Sequence, residues 1–268
     1  MTTTTISFKP EKRSKFYWAF SDSLTMIRRN LTHIINNMDQ LLSVAIQPIM
    51  FMLLFRYVFG GAINTGGTSY VNFLVAGILV QSAAFGATTT SLGVATDLTK
   101  GIMDRFRSLP MLNTAMLIGH TTADLVRNLV SSAIMIAVAF AVGFKPTATF
   151  TEWLAVVGIL MLFTYALSWM SAILGLMAKS IEAVQWFGFI FVFPLTFASS
   201  AFVPTDGMPK YLRMFAENQP VTHVIESIRS WLVGTPIGNH GWLALFWCLG
   251  ILLVSIAISS NLFRKLGR

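Results

Sequence analysis

The chain has 268 residues, 54% of them hydrophobic and 11% charged, with a formal net charge of +8. Soluble domains carry about 25% charged residues, so this chain lacks the polar surface to clothe a globule in water and belongs in a bilayer. The single cysteine, Cys248, excludes a disulfide within the chain, and the basic excess, gathered at the ends of apolar runs, points to membrane topology and anionic lipid rather than nucleic acid.

Residues 1–15 are polar and basic, and the first ten hold no apolar core of signal-peptide length. From Phe16 the apolar residues Phe20, Leu24, Ile27, Leu31, Ile34 and Met38 recur at spacings of three and four, while Asp22, Arg28, Arg29 and Asn30 fall off that stripe. The pattern predicts an amphipathic helix lying in the inner interface, with Tyr17 and Trp18 at headgroup depth. We therefore expect two regions: residues 1–38, a cytosolic N-terminus with an interfacial helix, and residues 39–265, a six-span membrane domain.

Span one is predicted over Leu41–Phe59, with Pro48 inside it. Arg56 would cost about 3 kcal/mol at mid-bilayer, but it lies near the far end and can snorkel outward. The nine Leu, Ile, Val and Phe residues from Leu41 to Phe55 offset it by roughly 3–5 kcal/mol. After a Gly-rich turn, span two covers Tyr70–Val94. Its many small residues, among them Ala76, Gly77, Gly86 and Gly93, predict close helix packing inside protein.

The stretch Thr96–Met111 is polar but places Ile102, Phe106 and Leu109 at i, i+4 and i+7. It reads either as a short surface helix that docks a cytosolic partner or as an interfacial loop capping two spans. Span three is one long helix that starts in the cytosol near Met116, enters the membrane near Leu125 and ends at Phe144. On it His120 and Asp124 are i, i+4, and Asp124 and Arg127 are i, i+3. An ion pair at the membrane rim is the simplest reading of these; a metal pair and a proton relay are the alternatives.

Span four covers Trp153–Ala178, and span five covers Ala183–Val203, aromatic-rich and interrupted by Pro194. Pro204–His240 is the longest external segment. Met208–Ala216 and Val221–Val233 read as two half-helices dipping into the outer leaflet. Span six is Trp242–Phe263. With the N-terminus inside, thirteen Lys and Arg residues face the cytosol and five face outward, which predicts that both termini are cytosolic and that the chain is a multi-pass protein of the inner, or plasma, membrane.

No zinc-protease, EF-hand or serine-nucleophile motif is present. Gly175–Ser180 ends like a phosphate loop but has Ala178 where glycine is needed. These observations predict no catalytic residue, metal or cofactor in this chain, and leave transport as the leading expectation.

Three segments carry a resemblance: Gln47–Ile63 (QPIMFMLLFRYVFGGAI), Gly101–Met111 (GIMDRFRSLPM) and Phe193–Arg229 (FPLTFASSAFVPTDGMPKYLRMFAENQPVTHVIESIR). In this order they resemble the permease subunits of type-2 ABC exporters, most of all the daunorubicin-resistance-type branch. The resemblance implies an all-α membrane protein with an N-terminal interfacial helix, six spans, a cytosolic coupling helix between spans two and three, and re-entrant helices before span six. It implies that Thr99–Pro110 is the coupling helix, with Asp104, Arg105, Phe106, Arg107, Leu109 and Pro110 meeting a separate ATP-binding subunit that holds ATP and magnesium. It further implies a permease homodimer, or a pair with a similar permease, exporting amphiphilic drugs or lipid-like molecules by alternating access. Candidate residues of the substrate path are Met52, Gln81, Phe85 and Phe197. The alternative expectation is an ATP-independent secondary transporter or channel.

Overall fold

The computed structural model describes residues 23–32, 38–63, 65, 69–101, 114–178 and 180–265. Every regular element among them is helical. In chain order these are α1 (residues 23–32), α2 (Met38–Leu54, prolonged by a π turn Phe55–Phe59), α3 (Tyr70–Thr99), α4 (Ala115–Val142), α5 (Phe150–Met177), α6 (Ile181–Phe197), α7 (Lys210–Asn218), α8 (Pro220–Val233) and α9 (His240–Lys265). The predicted N-terminal positions Phe16, Tyr17, Trp18, Phe20 and Ile34 lie outside the described residues.

Helices α3, α4, α5 and α9 are long and apolar enough to cross a membrane, and α2 with its π turn and α6 are shorter apolar helices. The chain is thus an all-α membrane protein. Local signals set several boundaries. Thr149 and Glu152 form a reciprocal capping box that starts α5. The Ser180 hydroxyl accepts from the Ala183 amide to start α6. Pro220 occupies the first turn of α8, where its missing N–H costs nothing.

The bundle is built around α3, which packs against α2, α4, α5, α6 and α8. Its apolar window is 83% buried, against 17% for that of α9. The small residues explain the difference, because they let neighbouring backbones approach. Gly77 is the extreme case: a β-carbon there would stand 2.0 Å from the Ala201 carbonyl oxygen.

Two helix ends differ from the sequence expectation. Helix α3 runs to Thr99 rather than Val94, so its 30 residues reach about 45 Å, well beyond a hydrocarbon layer of about 30 Å. Helix α6 stops at Phe197 rather than Val203. The chain turns there because Ser199 donates to the Thr196 carbonyl and Gln219 reaches in to donate to the Ala198 carbonyl. The turn delivers Ala201 onto Gly77 and Phe202 under Tyr70, whose hydroxyl donates to the Phe202 carbonyl at 3.1 Å.

Where α8 meets α9, His223 Nδ1 and His240 Nδ1 stand 3.0 Å apart, so one donates to the other. Burial, reinforced by His240, holds His223 below the usual histidine pKa, and Glu226 opposes the shift. The unfolded chain therefore takes up this proton first as pH falls, and the stability that neutral His223 contributes above about pH 6.5 is lost on acidification. A melting-temperature series between about pH 7.5 and 5.5 should fall less steeply for His240→Gln than for the parent. Equal slopes would refute the pairing.

Candidate functional site

The predicted coupling residues Asp104, Arg105, Phe106, Arg107, Leu109 and Pro110 lie outside the described residues. The two helix ends that carry their segment are described, and a polar network ties them together. Asp97 on α3 and His120 on α4 meet at 2.9 Å. Arg29 on α1 reaches the same carboxylate at 3.4 Å. Gly93 makes room: a β-carbon there would come 2.9 Å from the His120 ring, which would have to move. Met26 of α1 is 4% exposed, so the short helix is seated on the bundle rather than lying beside it.

One turn deeper, Asp124 on α4 accepts hydrogen bonds from Thr89 of α3 at 2.7 Å and Ser168 of α5 at 2.5 Å. Arg127 stands 3.3 Å from it and also donates to Thr89. The expected Asp124–Arg127 ion pair forms, but not at an open rim. Asp124 is 1% exposed and locks three helices to one another. His120 turns to Asp97 instead of Asp124. Among the described residues no group of three or more His, Cys, Asp or Glu is placed to hold a metal ion.

Arg29, Asp97, His120, Thr89, Asp124 and Arg127 line a cleft of 440 Å³ bounded by α1, α3 and α4, with Asn30, Thr96 and Lys100 at its wall beside the charged groups. Sequence spacing looked for His120's partner along its own helix. The usable signal was the hairpin: Asp97 and His120 stand at similar distances from the segment 102–113, so antiparallel helices bring them level.

The four candidate path residues are placed differently. Met52 and Gln81 are closed off inside the chain, at 0% and 2% exposure. The Gln81 amide nitrogen finds no hydrogen-bond partner among the described residues. Phe85 and Phe197 are half-buried against the same apolar core. Phe197 also belongs to an aromatic ladder that sequence reading did not assemble. Phe189, Phe193 and Phe197 stack along α6 with centroids 4.9 and 4.1 Å apart. Phe202 continues the row at 4.8 Å, and Phe55, then Phe59, at 4.4 and 5.2 Å. The ladder joins α6 to α2 across the turn after Phe197. On the same two elements Met50, Tyr57, Trp186 and Phe191 are exposed apolar side chains.

The model of the ABC-2 type transporter family matches residues 22–233. The daunorubicin resistance ABC transporter permease protein DrrB1 of Streptomyces coeruleorubidus is 30% identical over 88% of this chain and 80% of its own length. The probable doxorubicin resistance ABC transporter permease protein DrrC of Mycobacterium tuberculosis is 23% identical over 87% and 85%. Nodulation protein J of Rhizobium leguminosarum bv. viciae is 26% identical over 79% and 84%. The match spans the first eight of the helices described above, from α1 to α8, and the chain belongs to the ABC-2 type transporter family.

Proposed function

We propose that this chain is the membrane-spanning subunit of an ATP-driven exporter, that it works in pairs beneath which two copies of a separate ATP-binding subunit sit, and that its cargo is amphiphilic. The family match over residues 22–233 carries the reading. The drug resistance named in two relatives supports an amphiphilic cargo. In this reading α2 and α6 also span. With its π turn, α2 has 22 residues and reaches about 33 Å, and the 17 residues of α6 reach about 26 Å before the turn at Ala198. Both termini then face the cytosol.

In this reading Thr99–Pro110 is the coupling element, with Phe106 and Leu109 as apolar anchors and Asp104, Arg105 and Arg107 setting register, closed by Pro110. A push on it reaches α1, α3 and α4 together, because Asp97, His120 and Arg29 tie their ends, and reaches α5 through Asp124 and Ser168. The pair then shifts between inward-open and outward-open states as near-rigid bodies. The cargo would pass along the aromatic face of α2 and α6, with Phe85 and Phe197 at its wall. Met52 and Gln81 reach it only after helices separate. A proton-driven reading gains little from Asp124, whose oxygens are already engaged by Thr89, Ser168 and Arg127.

Reconstitution with the ATP-binding subunit tests this. ATP-dependent movement of a fluorescent amphiphile out of vesicles is expected. The double variant Phe106→Glu, Leu109→Glu should lower both subunit binding and transport more than about tenfold, because two buried anchors of about 1.5–3 kcal/mol each are replaced by charges. Movement of cargo by the permease alone, or unchanged transport in the double variant, would overturn the proposal.

A further inference from the structure

The cleft between α1, α3 and α4 holds three cations, Arg29, Lys100 and Arg127, and two carboxylates, Asp97 and Asp124. Their commitments differ. Both carboxylates are buried and engaged: Asp124 by Thr89, Ser168 and Arg127, Asp97 by His120 and Arg29. Lys100 is exposed at the cleft wall and forms no ion pair among the described residues. The Nε–H of Arg127 makes no hydrogen bond among them either. What the cleft still offers is therefore donors and one positive charge in excess of the acids. An occupant with spare donors would find no free carboxylate among the described residues. One rich in anionic oxygens would find Lys100 directly, in the positive field of Arg29 and Arg127.

Depth narrows the occupant further. Helix α3 overshoots the hydrocarbon layer, and Lys100 follows its last residue, Thr99, so the cleft mouth lies at the level of lipid head groups. Leu92 and Ala123 supply the apolar part of its lining. A volume of 440 Å³ suits a head group rather than acyl chains, which have the bilayer itself to occupy. Basic recesses between helix ends on the cytoplasmic side are places where anionic head groups lodge.

We propose that this cleft is a binding site for the phosphate head group of an anionic phospholipid, with Lys100 as the direct ligand and Arg29 as the second charge at its wall. A lipid held there wedges α1 against the ends of α3 and α4. The site needs neither nucleotide nor partner subunit, so it stands or falls separately from the export reading.

The full chain purified in dodecyl maltoside tests it with three probes: dioleoyl phosphatidic acid, dioleoyl phosphatidylcholine and inorganic phosphate. Bound lipid is counted by native mass spectrometry, and the melting temperature is read alongside. Phosphatidic acid is expected to remain bound and to raise the melting temperature, and the other two probes are not. Lys100→Glu should weaken phosphatidic acid binding about tenfold, a loss of about 1.4 kcal/mol, because it reverses the charge of the head-group contact. Lys100→Arg should keep it. Lys145→Glu, at an exposed lysine on the α4–α5 connection, should leave it unchanged. Because the adduct count is read on folded protein, a variant that merely melts earlier still reports. Equal retention of phosphatidylcholine, a full effect from inorganic phosphate alone, or undiminished binding by Lys100→Glu would each overturn the proposal.

Discussion

Arg229→Met should lower the melting temperature of the purified chain by about 10 °C, the shift that accompanies a loss of about 3 kcal/mol in a domain of this size. The arginine sits on α8 and is 8% exposed. Its Nε donates to the Phe73 carbonyl of α3 at 3.2 Å, and its Nη2 donates to the Ser200 carbonyl, in the turn after α6, at 2.6 Å. Glu226 neutralises it from the same helix, and its guanidinium carbon stands 3.6 Å from the Phe73 ring centroid. Removing it leaves the buried Ser200 carbonyl unpaired, takes from the Phe73 carbonyl a donor beyond its helix bond, and leaves Glu226 without its counter-charge; an orphaned buried group costs about 1–3 kcal/mol. Arg229→Lys should rescue little, because a single ammonium cannot serve two carbonyls and the ring together. A Lys variant that melts with the parent would refute this account of the clamp. Differential scanning fluorimetry on the three proteins decides it.

The same residue shows what could and could not be read beforehand. Counting charges predicts Arg229 on the outer side. Nothing in the spacing of α8 says that it is buried, because its acceptors come from residues 156 and 29 positions away. The long helices were legible because apolar runs of twenty or more residues have few alternatives in a bilayer. The interior place of α3 was legible too, since Gly77, Gly86 and Gly93 on one helix make sense only where neighbours press close. The ends were not. Thr96, Asp97 and Thr99 look like loop residues when counted by hydropathy, yet they continue α3 because His120 and Arg29 neutralise Asp97. The aromatic ladder was visible only in part. Phe189, Phe193 and Phe197 share a face by spacing, whereas Phe55 joins through a turn that no periodicity reports.

The two ends of the bundle are fastened by different chemistry, and that difference bears on motion. At the end that carries the turn after α6, Arg229, Tyr70 and Asn72 bond to backbone, beside the His223–His240 pair: Phe73 and Ser200, Phe202, and both the amide and carbonyl of Lys145. Backbone partners persist in any packing that keeps the turns in place. At the opposite end, side chain meets side chain, with Asp97, His120, Asp124 and Ser168 on three helices. Such contacts can be exchanged without unfolding a turn, which suits the end nearest the coupling segment in the proposed cycle.

Removing the Asp124 charge is the second large effect. Asp124→Leu leaves Arg127, whose side chain is 12% exposed, as a charge inside the bundle without its counter-ion, a change worth about 3–5 kcal/mol. Thr89 and Ser168 lose their acceptor in the same step. Arg127→Met should be costly for the converse reason, since the carboxylate is then buried against hydroxyls alone. The pair Asp124→Leu, Arg127→Met removes both charges at once and leaves an apolar patch between α3, α4 and α5. It should cost less than the sum of the single variants by about 2 kcal/mol or more. Thermal melts of the four proteins at one detergent concentration measure this coupling. If the single losses simply add, Asp124 and Arg127 act independently, and the inner lock has to be sought in Ser168 and Thr89 alone. If they couple as expected, the double variant becomes the sharper tool. It should be stable, yet joined by contacts that no longer switch partners, so nucleotide-driven transport by the reconstituted pair should fall while the melting temperature holds.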